Sequence, residues 1–269
     1  MTKIGFIGAG NMAEAIIRGI ISAGQFNPSD IFISDLCTKR CDEIAERYGV
    51  TVVEANTDIT AVADIVVLSV KPQIMADVLA EIKGKTDNAA VVVSIAAGIT
   101  VATLSDALGG MPIVRIMPNT PALVSEGMFG IYSPNAPAKI MSTLIEMFSA
   151  VGGTIVVEKE DHIDAVTAVS GSGPAYFFLL MEEMIKTAQK LGLNEKEATE
   201  LVTQTAKGAA ILAEIAQSRG ETAEQLRRKV TSPGGTTEAA INTFKDGNFS
   251  ELVSKALHAA YNRSKELSN

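Results

Sequence analysis

Short apolar runs alternate with amphipathic stretches through the first half of the chain. The runs are rich in β-branched residues and are bounded by glycine, proline or polar residues, which is typical of buried parallel strands. They predict strands at 4–7, 31–34, 65–70, 91–95 and 113–117, with a weak short strand at 51–53. Apolar residues at helical spacing predict helices near 11–23, 38–48, 72–83 and 100–108. This alternation predicts an α/β fold with a doubly wound sheet, whose ligand lies beyond the carboxyl ends of the strands.

The pattern changes in the second half. A strand is predicted near 127–132 and a helix near 136–149, but beyond Glu158 we find only helical patterns. We therefore predict a domain built on a Rossmann-type sheet at 1–158 and an all-helical domain at 159–269.

Two of the predicted helices in the second half carry broad apolar stripes. Their faces are too wide for a single helical layer to bury, which favours packing against a second copy of the chain. The stripes comprise Phe177, Leu180, Met181, Met184, Ile185 and Ala188, and then Ala198, Leu201, Val202, Thr205, Ala209, Leu212 and Ile215.

Composition fits an ordinary soluble globular protein, with 47% apolar and 20% charged residues. The net charge of −8 gives nucleic-acid binding no electrostatic support. The chain contains no uninterrupted apolar stretch of 18 residues, which argues against a membrane span. Its first residues enter a predicted strand at once, leaving no room for a signal peptide, so we expect a cytoplasmic protein.

The cysteines and histidines are too few and too scattered to predict a metal site. Cys37 and Cys41 are four residues apart on a predicted helix, and the two histidines, His162 and His258, are distant in sequence. We expect two reduced thiols.

A glycine-rich turn follows the first predicted strand. Its Gly-x-Gly-x-x-Ala pattern places Gly8 at a tight turn, Gly10 where the backbone approaches a diphosphate, and Ala13 where helix and strand pack. The helix that follows directs its free N–H groups at the diphosphate. Residues Gly8, Ala9, Gly10, Asn11 and Met12 are thus predicted to bind a dinucleotide.

Three later loops are expected at the same sheet edge. Val70, Lys71 and Pro72 follow one strand, so Lys71 either contacts a phosphate, ribose or substrate anion or is a solvated lysine at a strand end. The next loop is Ala96-Ala97-Gly98, whose small residues either let a flat ring pass close to the backbone or serve only the turn. Asn119 belongs to the third loop.

The end of the second predicted strand gives conflicting indications about the cofactor. Asp35 is at the position where an acid normally accepts hydrogen bonds from the adenosine ribose, which favours NAD(H). Thr38, Lys39 and Arg40 follow, and the two cations among them could instead bind the 2′-phosphate of NADP(H). The balance is slightly toward NAD(H).

Two glycine-rich motifs stand out in the helical half. Ser170–Tyr176 interrupts two predicted helices. Thr231–Thr237 precedes a helix predicted at 238–244, and its glycines expose N–H groups suited to a small carboxylate, while Thr236 and Thr237 add hydroxyls for a ring nitrogen. The same motif could be a plain turn before a helix N-cap.

Together, six motifs resemble pyrroline-5-carboxylate reductases, in family order, from about residue 3 to about residue 267. The resemblance rests on Phe6–Met12, Val70–Pro72, Ser94–Gly98, Met117–Pro121, Ser170–Tyr176 and Ser232–Thr237. It implies a dinucleotide-binding Rossmann domain at 1–158 followed by an all-helical dimerisation and substrate domain at 159–269, assembled as dimers or as a decamer.

The resemblance also implies roles for particular residues. Cofactor contacts would fall on Gly8, Gly10, Asn11, Asn56, Lys71 and Ala97. The substrate carboxylate would meet the backbone around Gly235 and Thr236, near Ser232 and Gly234, with the Thr237 hydroxyl on the ring nitrogen and Glu160 bordering the pocket. Asp35 departs from the family, since many relatives have a neutral residue there and prefer NADPH.

The expected reaction is hydride transfer from NAD(P)H to 1-pyrroline-5-carboxylate, with Thr237 and Lys71 as candidate catalytic residues. Two alternatives remain. A β-hydroxyacid dehydrogenase would need a Gly-x-x-x-Lys-x-x-x-Asn helix, which is missing from this sequence. A non-catalytic dinucleotide sensor would tolerate loss of the Gly-Gly-Thr-Thr loop, which is intact.

Overall fold

A computed structural model describes residues 2–86 and 89–268. Its sheet has eight strands in the order β3-β2-β1-β4-β5-β6-β7-β8. Strands β1 to β6 are parallel, β7 is antiparallel to β6, and β8 is parallel to β7. The strands are Ile4–Ile7, Ile31–Ser34, Thr51–Val52, Ile65–Leu68, Val91–Ser94, Ile113–Met117, Gly127–Tyr132 and Gly152–Val156. The chain order reverses between β1 and β4, which is where a doubly wound sheet opens its ligand crevice.

The central strands are apolar throughout because helices cover both faces of the sheet. Every residue of β1, β4 and β5 is buried. One core cluster forms around Phe6, Phe129 and Phe148, and a second forms around Leu68 and Leu104 on the other face. The predicted α/β fold with a doubly wound sheet is confirmed.

Twelve α-helices are present in the described residues. They are α1 Asn11–Ser22, α2 Thr38–Tyr48, α3 Asn56–Val62, α4 Met75–Ile82, α5 Val101–Leu108, α6 Ala138–Ser149, α7 Asp161–Val166, α8 Gly173–Lys190, α9 Glu195–Gln217, α10 Ala223–Lys229, α11 Thr236–Asp246 and α12 Phe249–Ser268. Past β8, the described part of the chain has no further strand, as the sequence predicted.

Several predicted elements need correction. Strand β8 and helix α3 were not expected, and the helix predicted at 72–83 is a 3₁₀ turn, Pro72–Ile74, followed by α4. Pro72 fixes a turn geometry before the helix begins. Helix α11 starts two residues earlier than predicted, directly after Gly235.

The chain forms two compact units. One comprises Met1–Pro174 together with Ala259–Asn269, and the other comprises Ala175–His258. The functional division into domains 1–158 and 159–269 stays a prediction. In the second unit the apolar stripes are largely exposed: Phe177 is 68% exposed, and Leu180, Met184, Leu201, Leu212 and Ile215 are exposed too.

Candidate active site

The glycine-rich turn after β1 needs its two glycines for different reasons. Gly8 has φ +101°, and a Cβ there would lie 2.8 Å from the backbone carbon of Ser69 on the loop after β4. Gly10 caps α1, and a Cβ on it would meet no protein atom within 4 Å. Packing within the protein therefore explains Gly8, whereas the open space beside Gly10 fits a diphosphate approaching the helix N-terminus. Ala13 is buried, as the pattern predicted.

The loop after β4 lies against this turn. The Ser69 hydroxyl donates hydrogen bonds to the carbonyl oxygens of Ile7, at 3.1 Å, and Gly8, at 2.6 Å. Lys71 follows two residues later, exposed and immediately before the Pro72–Ile74 turn. The structure thus brings Val70, Lys71 and the glycine-rich turn to one edge of the sheet.

The Ala96-Ala97-Gly98 loop is shaped by the C-terminal helix. Gly98 has φ +74°, and a Cβ there would lie 2.7 Å from the carbonyl oxygen of Leu267 at the end of α12. The small size of Gly98 is therefore required by the protein itself. Ala96 is buried and Ala97 is half-buried.

A cavity of about 320 Å³ opens where β1 and β2 end, with Gly8, Asp35, Asn56 and Val70 among its lining residues. Asp35 is held there by two backbone donors. Its Oδ2 accepts from the Ala9 N–H at 2.7 Å, and its Oδ1 accepts from the Cys37 N–H at 2.9 Å.

Asn56 bridges two neighbours at the same cavity. Its Oδ1 accepts a hydrogen bond from the Ser34 hydroxyl at 2.8 Å, and its Nδ2 donates to the Glu81 carboxylate at 2.6 Å. Asn56 begins α3, a helix that sequence reasoning missed. The resemblance alone pointed to Asn56, because its neighbours carry no periodic apolar signal.

Arg40, one candidate for a 2′-phosphate contact, is paired inside the protein. Its guanidinium forms an ion pair with Glu14 of α1, and its Nε donates to the Ala9 carbonyl at 3.1 Å. Glu14 also pairs with Arg47 and accepts from the Tyr48 hydroxyl. Burial raises the pKa of Glu14, but the Arg40 and Tyr48 hydrogen bonds outweigh it, so the net pKa is below its usual range.

The Met117–Pro121 and Ser170–Tyr176 motifs meet through Asn119. Its Nδ2 donates to the Ser170 carbonyl at 3.3 Å and to the Ser170 hydroxyl at 3.2 Å, while its Oδ1 accepts from the Met128 N–H at 2.8 Å. Ser170 belongs to a π-helical turn, Thr167–Gly171, that is followed by α8. The α-helix is therefore interrupted at this motif, as predicted, and the interruption takes the form of a π turn; such π turns recur at functional sites.

A buried ion pair joins three elements beside this region. The Arg115 Nη1 of β6 lies 2.9 Å from the Glu160 Oε1, and the Val101 N–H at the start of α5 donates to the same oxygen at 2.8 Å. Arg115 Nη2 is also 3.5 Å from the Ser268 hydroxyl. Sequence reasoning missed Arg115, although a lone cation inside an apolar strand run signals a paired buried charge.

The Ser232–Thr237 turn lies in the second unit and leads into α11. Gly234 has φ +71°, its N–H donates to the Glu238 carboxylate at 2.7 Å, and the Gly235 N–H donates to the Ser232 carbonyl at 3.0 Å. Helix geometry leaves the N–H groups of Thr236 and Thr237 without intrahelical acceptors. The first turn of α11 can therefore bind a small anion.

Comparisons with known proteins identify both halves of the chain. Residues 160–267 match the family model "Pyrroline-5-carboxylate reductase dimerisation", and residues 3–98 match "NADP oxidoreductase coenzyme F420-dependent". Within the described residues, the helical segment Asp161–Lys190, which comprises α7, the π turn and α8, is the only one long and apolar enough by composition to cross a membrane, and 22% of its most apolar stretch is buried. Because it falls in the dimerisation match, its apolar face indicates homo-oligomerisation.

Whole-chain relatives agree with this assignment. A pyrroline-5-carboxylate reductase from Pseudomonas aeruginosa is 48% identical over 98% of this chain and 96% of its own length. The structure of one from Coxiella burnetii has a TM-score of 0.92 at 41% identity, covering 100% of this chain and 99% of its own. A Plasmodium falciparum pyrroline carboxylate reductase with NADP bound has a TM-score of 0.85 at 30% identity, covering 100% and 98%. The chain therefore belongs to the pyrroline-5-carboxylate reductase family of NAD(P)-dependent oxidoreductases.

Proposed function

We propose that this protein reduces 1-pyrroline-5-carboxylate to L-proline with NAD(P)H, the last step of proline biosynthesis. The observation that carries the proposal is the turn before α11, where two N–H groups without intrahelical acceptors and the Thr236 and Thr237 hydroxyls offer a site for an imino acid. It occurs in a chain that matches the reductases along 98% of its length.

Hydride transfer to a cyclic imine needs little from the protein beyond position. The reduced nicotinamide supplies a hydride, with its electron pair, to C5 of the protonated imine. The π pair of the C5=N bond moves onto nitrogen, which gives the secondary amine of proline. Because the protonated imine accepts hydride readily, no strong base is required. Holding C5 within about 3–3.5 Å of the donor carbon supplies much of the rate.

We assign the substrate to the Ser232–Thr237 turn. The N–H groups of Thr236 and Thr237 bind the carboxylate, and the Thr237 hydroxyl orients the imine nitrogen or relays its proton. Gly234 and Gly235 shape the turn, since their own N–H groups already have acceptors. We assign Glu160 a positioning role within the first unit, where its Oε1 accepts hydrogen bonds from Arg115 and from the Val101 N–H.

We assign the cofactor to the edge of the sheet in the first unit. Residues 8–12 bind the diphosphate at the start of α1, and Asp35 and Asn56 lie at the ribose end, in the cavity where β1 and β2 end. Residues 70–72 and 96–98 contact the remainder of the cofactor. Lys71, exposed beside the glycine-rich turn, supplies a cation for a phosphate or the substrate anion.

The exposed stripes of α8 and α9 support a homodimer through the helical domain, which could assemble further into a decamer. Light scattering at micromolar concentration should give at least a dimer. A clean monomer would contradict the packing argument. We also propose a cytoplasmic location, where reduced cofactor is available and free thiols such as Cys37 persist.

Replacing one hydroxyl tests the substrate assignment. Thr237→Ala should lower kcat/KM for 1-pyrroline-5-carboxylate at least about tenfold, or roughly 1.4 kcal/mol, while the cofactor KM changes little. Thr243→Ala is the matched control, since Thr243 is on the same helix and its hydroxyl only donates to the Ala239 carbonyl. An unchanged kcat/KM in Thr237→Ala would remove this hydroxyl from the reaction.

The reaction itself is tested by substrate choice. Loss of cofactor absorbance should follow addition of 1-pyrroline-5-carboxylate and not of β-hydroxyacids with the oxidised cofactor. Turnover of a hydroxyacid would support the dehydrogenase alternative, and no turnover with either substrate would support a dinucleotide sensor.

A further inference from the structure

The ribose-end cavity of the first unit is lined by carboxylates. Asp35, Glu54, Asp77 and Glu81 are among the residues that line it, and the described lining includes no lysine or arginine. Asn56 holds Glu81 in place by donating to its carboxylate at 2.6 Å. The field in this cavity is therefore negative before any nucleotide binds.

Two cations follow Asp35, and one of them, Arg40, is already paired with carboxylates; the other, Lys39, is exposed to solvent near the start of α2. Arg40 shares its guanidinium with Glu14 and Glu43, and its Nε is used by the Ala9 carbonyl. Glu14 in turn binds Arg47 and the Tyr48 hydroxyl, so the network ties α1 to α2. A guanidinium held in this way would have to break a partly buried ion pair to reach a nucleotide phosphate.

Asp35 keeps the capacity to accept further hydrogen bonds. Each of its carboxylate oxygens accepts one backbone N–H, from Ala9 and from Cys37, and each oxygen has a second lone pair. Two backbone donors fix the carboxylate at the end of β2 in front of the cavity. This arrangement suits a vicinal pair of ribose hydroxyls, which donate two hydrogen bonds side by side.

We infer that this chain is selective for NADH over NADPH, with Asp35 accepting from the 2′- and 3′-hydroxyls of the adenosine ribose and the carboxylate-lined cavity rejecting a 2′-phosphate. The kinetic preference for NADH rests on the proposed function, because it is measured in the reductase reaction. The preference in nucleotide binding does not depend on that reaction. A 2′-phosphate would bring a charge of about −1.5 to −2 against Asp35. Arg40 cannot compensate for that charge while Glu14 holds it.

The first experiment compares the two cofactors in the reductase assay. Wild-type protein should give a kcat/KM ratio, NADH to NADPH, of about ten or more, and a smaller ratio overturns the inference. Asp35→Ser should lower that ratio at least about tenfold, equal to about 1.4 kcal/mol. Asp42→Asn, which removes an exposed carboxylate of α2 outside the cavity, should leave the ratio unchanged. An equal effect of both substitutions would show that only net charge matters, against the role given to Asp35.

The second experiment needs neither turnover nor a variant. Calorimetric titration of wild-type protein with AMP and with adenosine 2′,5′-bisphosphate isolates the 2′-phosphate, and AMP should bind at least about tenfold more tightly. Equal or tighter binding of the bisphosphate overturns the inference even if the protein proves not to reduce 1-pyrroline-5-carboxylate. Conversely, failure of the reductase assay with the AMP preference intact would count against the reaction alone. Raising the salt concentration to about 1 M should reduce the difference in affinity between AMP and the bisphosphate, because the Debye length falls to about 3 Å.

Discussion

Removing the Glu160 carboxylate should destabilise the first unit by breaking a buried ion pair. Its Oε1 is the acceptor for both Arg115 Nη1 and the Val101 N–H. The Arg115 side chain is 3% exposed and that of Glu160 is 25% exposed. Glu160→Ala would therefore leave a guanidinium buried without a counter-charge and the first N–H of α5 without its acceptor.

The expected cost follows from these two losses. Breaking a buried pair by removing one partner costs about 3–5 kcal/mol, and the partial exposure of Glu160 favours the lower end of that range. With the orphaned Val101 N–H, we expect the free energy of unfolding to fall by about 3–4 kcal/mol. For a chain of this size that is a decrease in Tm of about 6–16 °C. Glu160→Gln keeps an acceptor oxygen and should cost about half as much.

Urea denaturation measures this cost, at one fixed subunit concentration because the dimerisation match indicates that subunits associate. A double-mutant cycle with Arg115→Met isolates the pair, and the coupling energy should exceed about 1 kcal/mol. Glu158→Ala, at an exposed position two residues away, is the control. Additive effects, or a cost below about 1 kcal/mol for Glu160→Ala, would refute the reasoning and return Glu160 to direct substrate contact.

Two further predictions test local geometry. Gly98→Ala should lower the free energy of unfolding by about 2–4 kcal/mol, because it combines a positive φ with a clash against the Leu267 carbonyl. The control is Gly24→Ala, where φ is also positive but the space is open, and it should cost only about 1–2 kcal/mol. Urea denaturation measures both costs. Burial raises the pKa of the Cys41 thiol to about 11, so iodoacetamide at about pH 8 should alkylate Cys37 alone, and mass spectrometry should find a second adduct only in urea.

The elements that can be predicted from sequence are the strands that are buried on both faces of the sheet. Strands β1, β4 and β5 are buried at every residue, so their apolar runs carry an unambiguous signal. Strand β8 begins with two glycines, and its Ile155 and Val156 are about half exposed at the sheet edge. Helix α3 has seven residues and buries only Ile59 and Thr60, so it lacks a periodic stripe.

The candidate site divides in a similar way. The turn at Gly8 is predictable because its positive φ is a local backbone requirement, and glycine is the residue that meets it. The π turn at Ser170 was not predictable, because the side chain that binds it, Asn119, is 51 residues earlier in the chain. From sequence alone, a run of glycine and serine predicts an interruption of a helix, but it does not show the form of that interruption when the tertiary hydrogen-bond partners are unknown.

The charges after β2 show why counting cations in the sequence does not tell which of them are available to a cofactor. Thr38, Lys39 and Arg40 together indicated a phosphate site against the single carboxylate of Asp35. In the fold, Arg40 forms an ion pair with Glu14, which is 26 residues earlier in the chain. Asp35 is held by backbone N–H donors, which do not depend on the identity of the neighbouring side chains. Recognition of a ribose depends on the groups that remain available, and the proposed NADH preference therefore rests on the carboxylate although cations outnumber it along the chain.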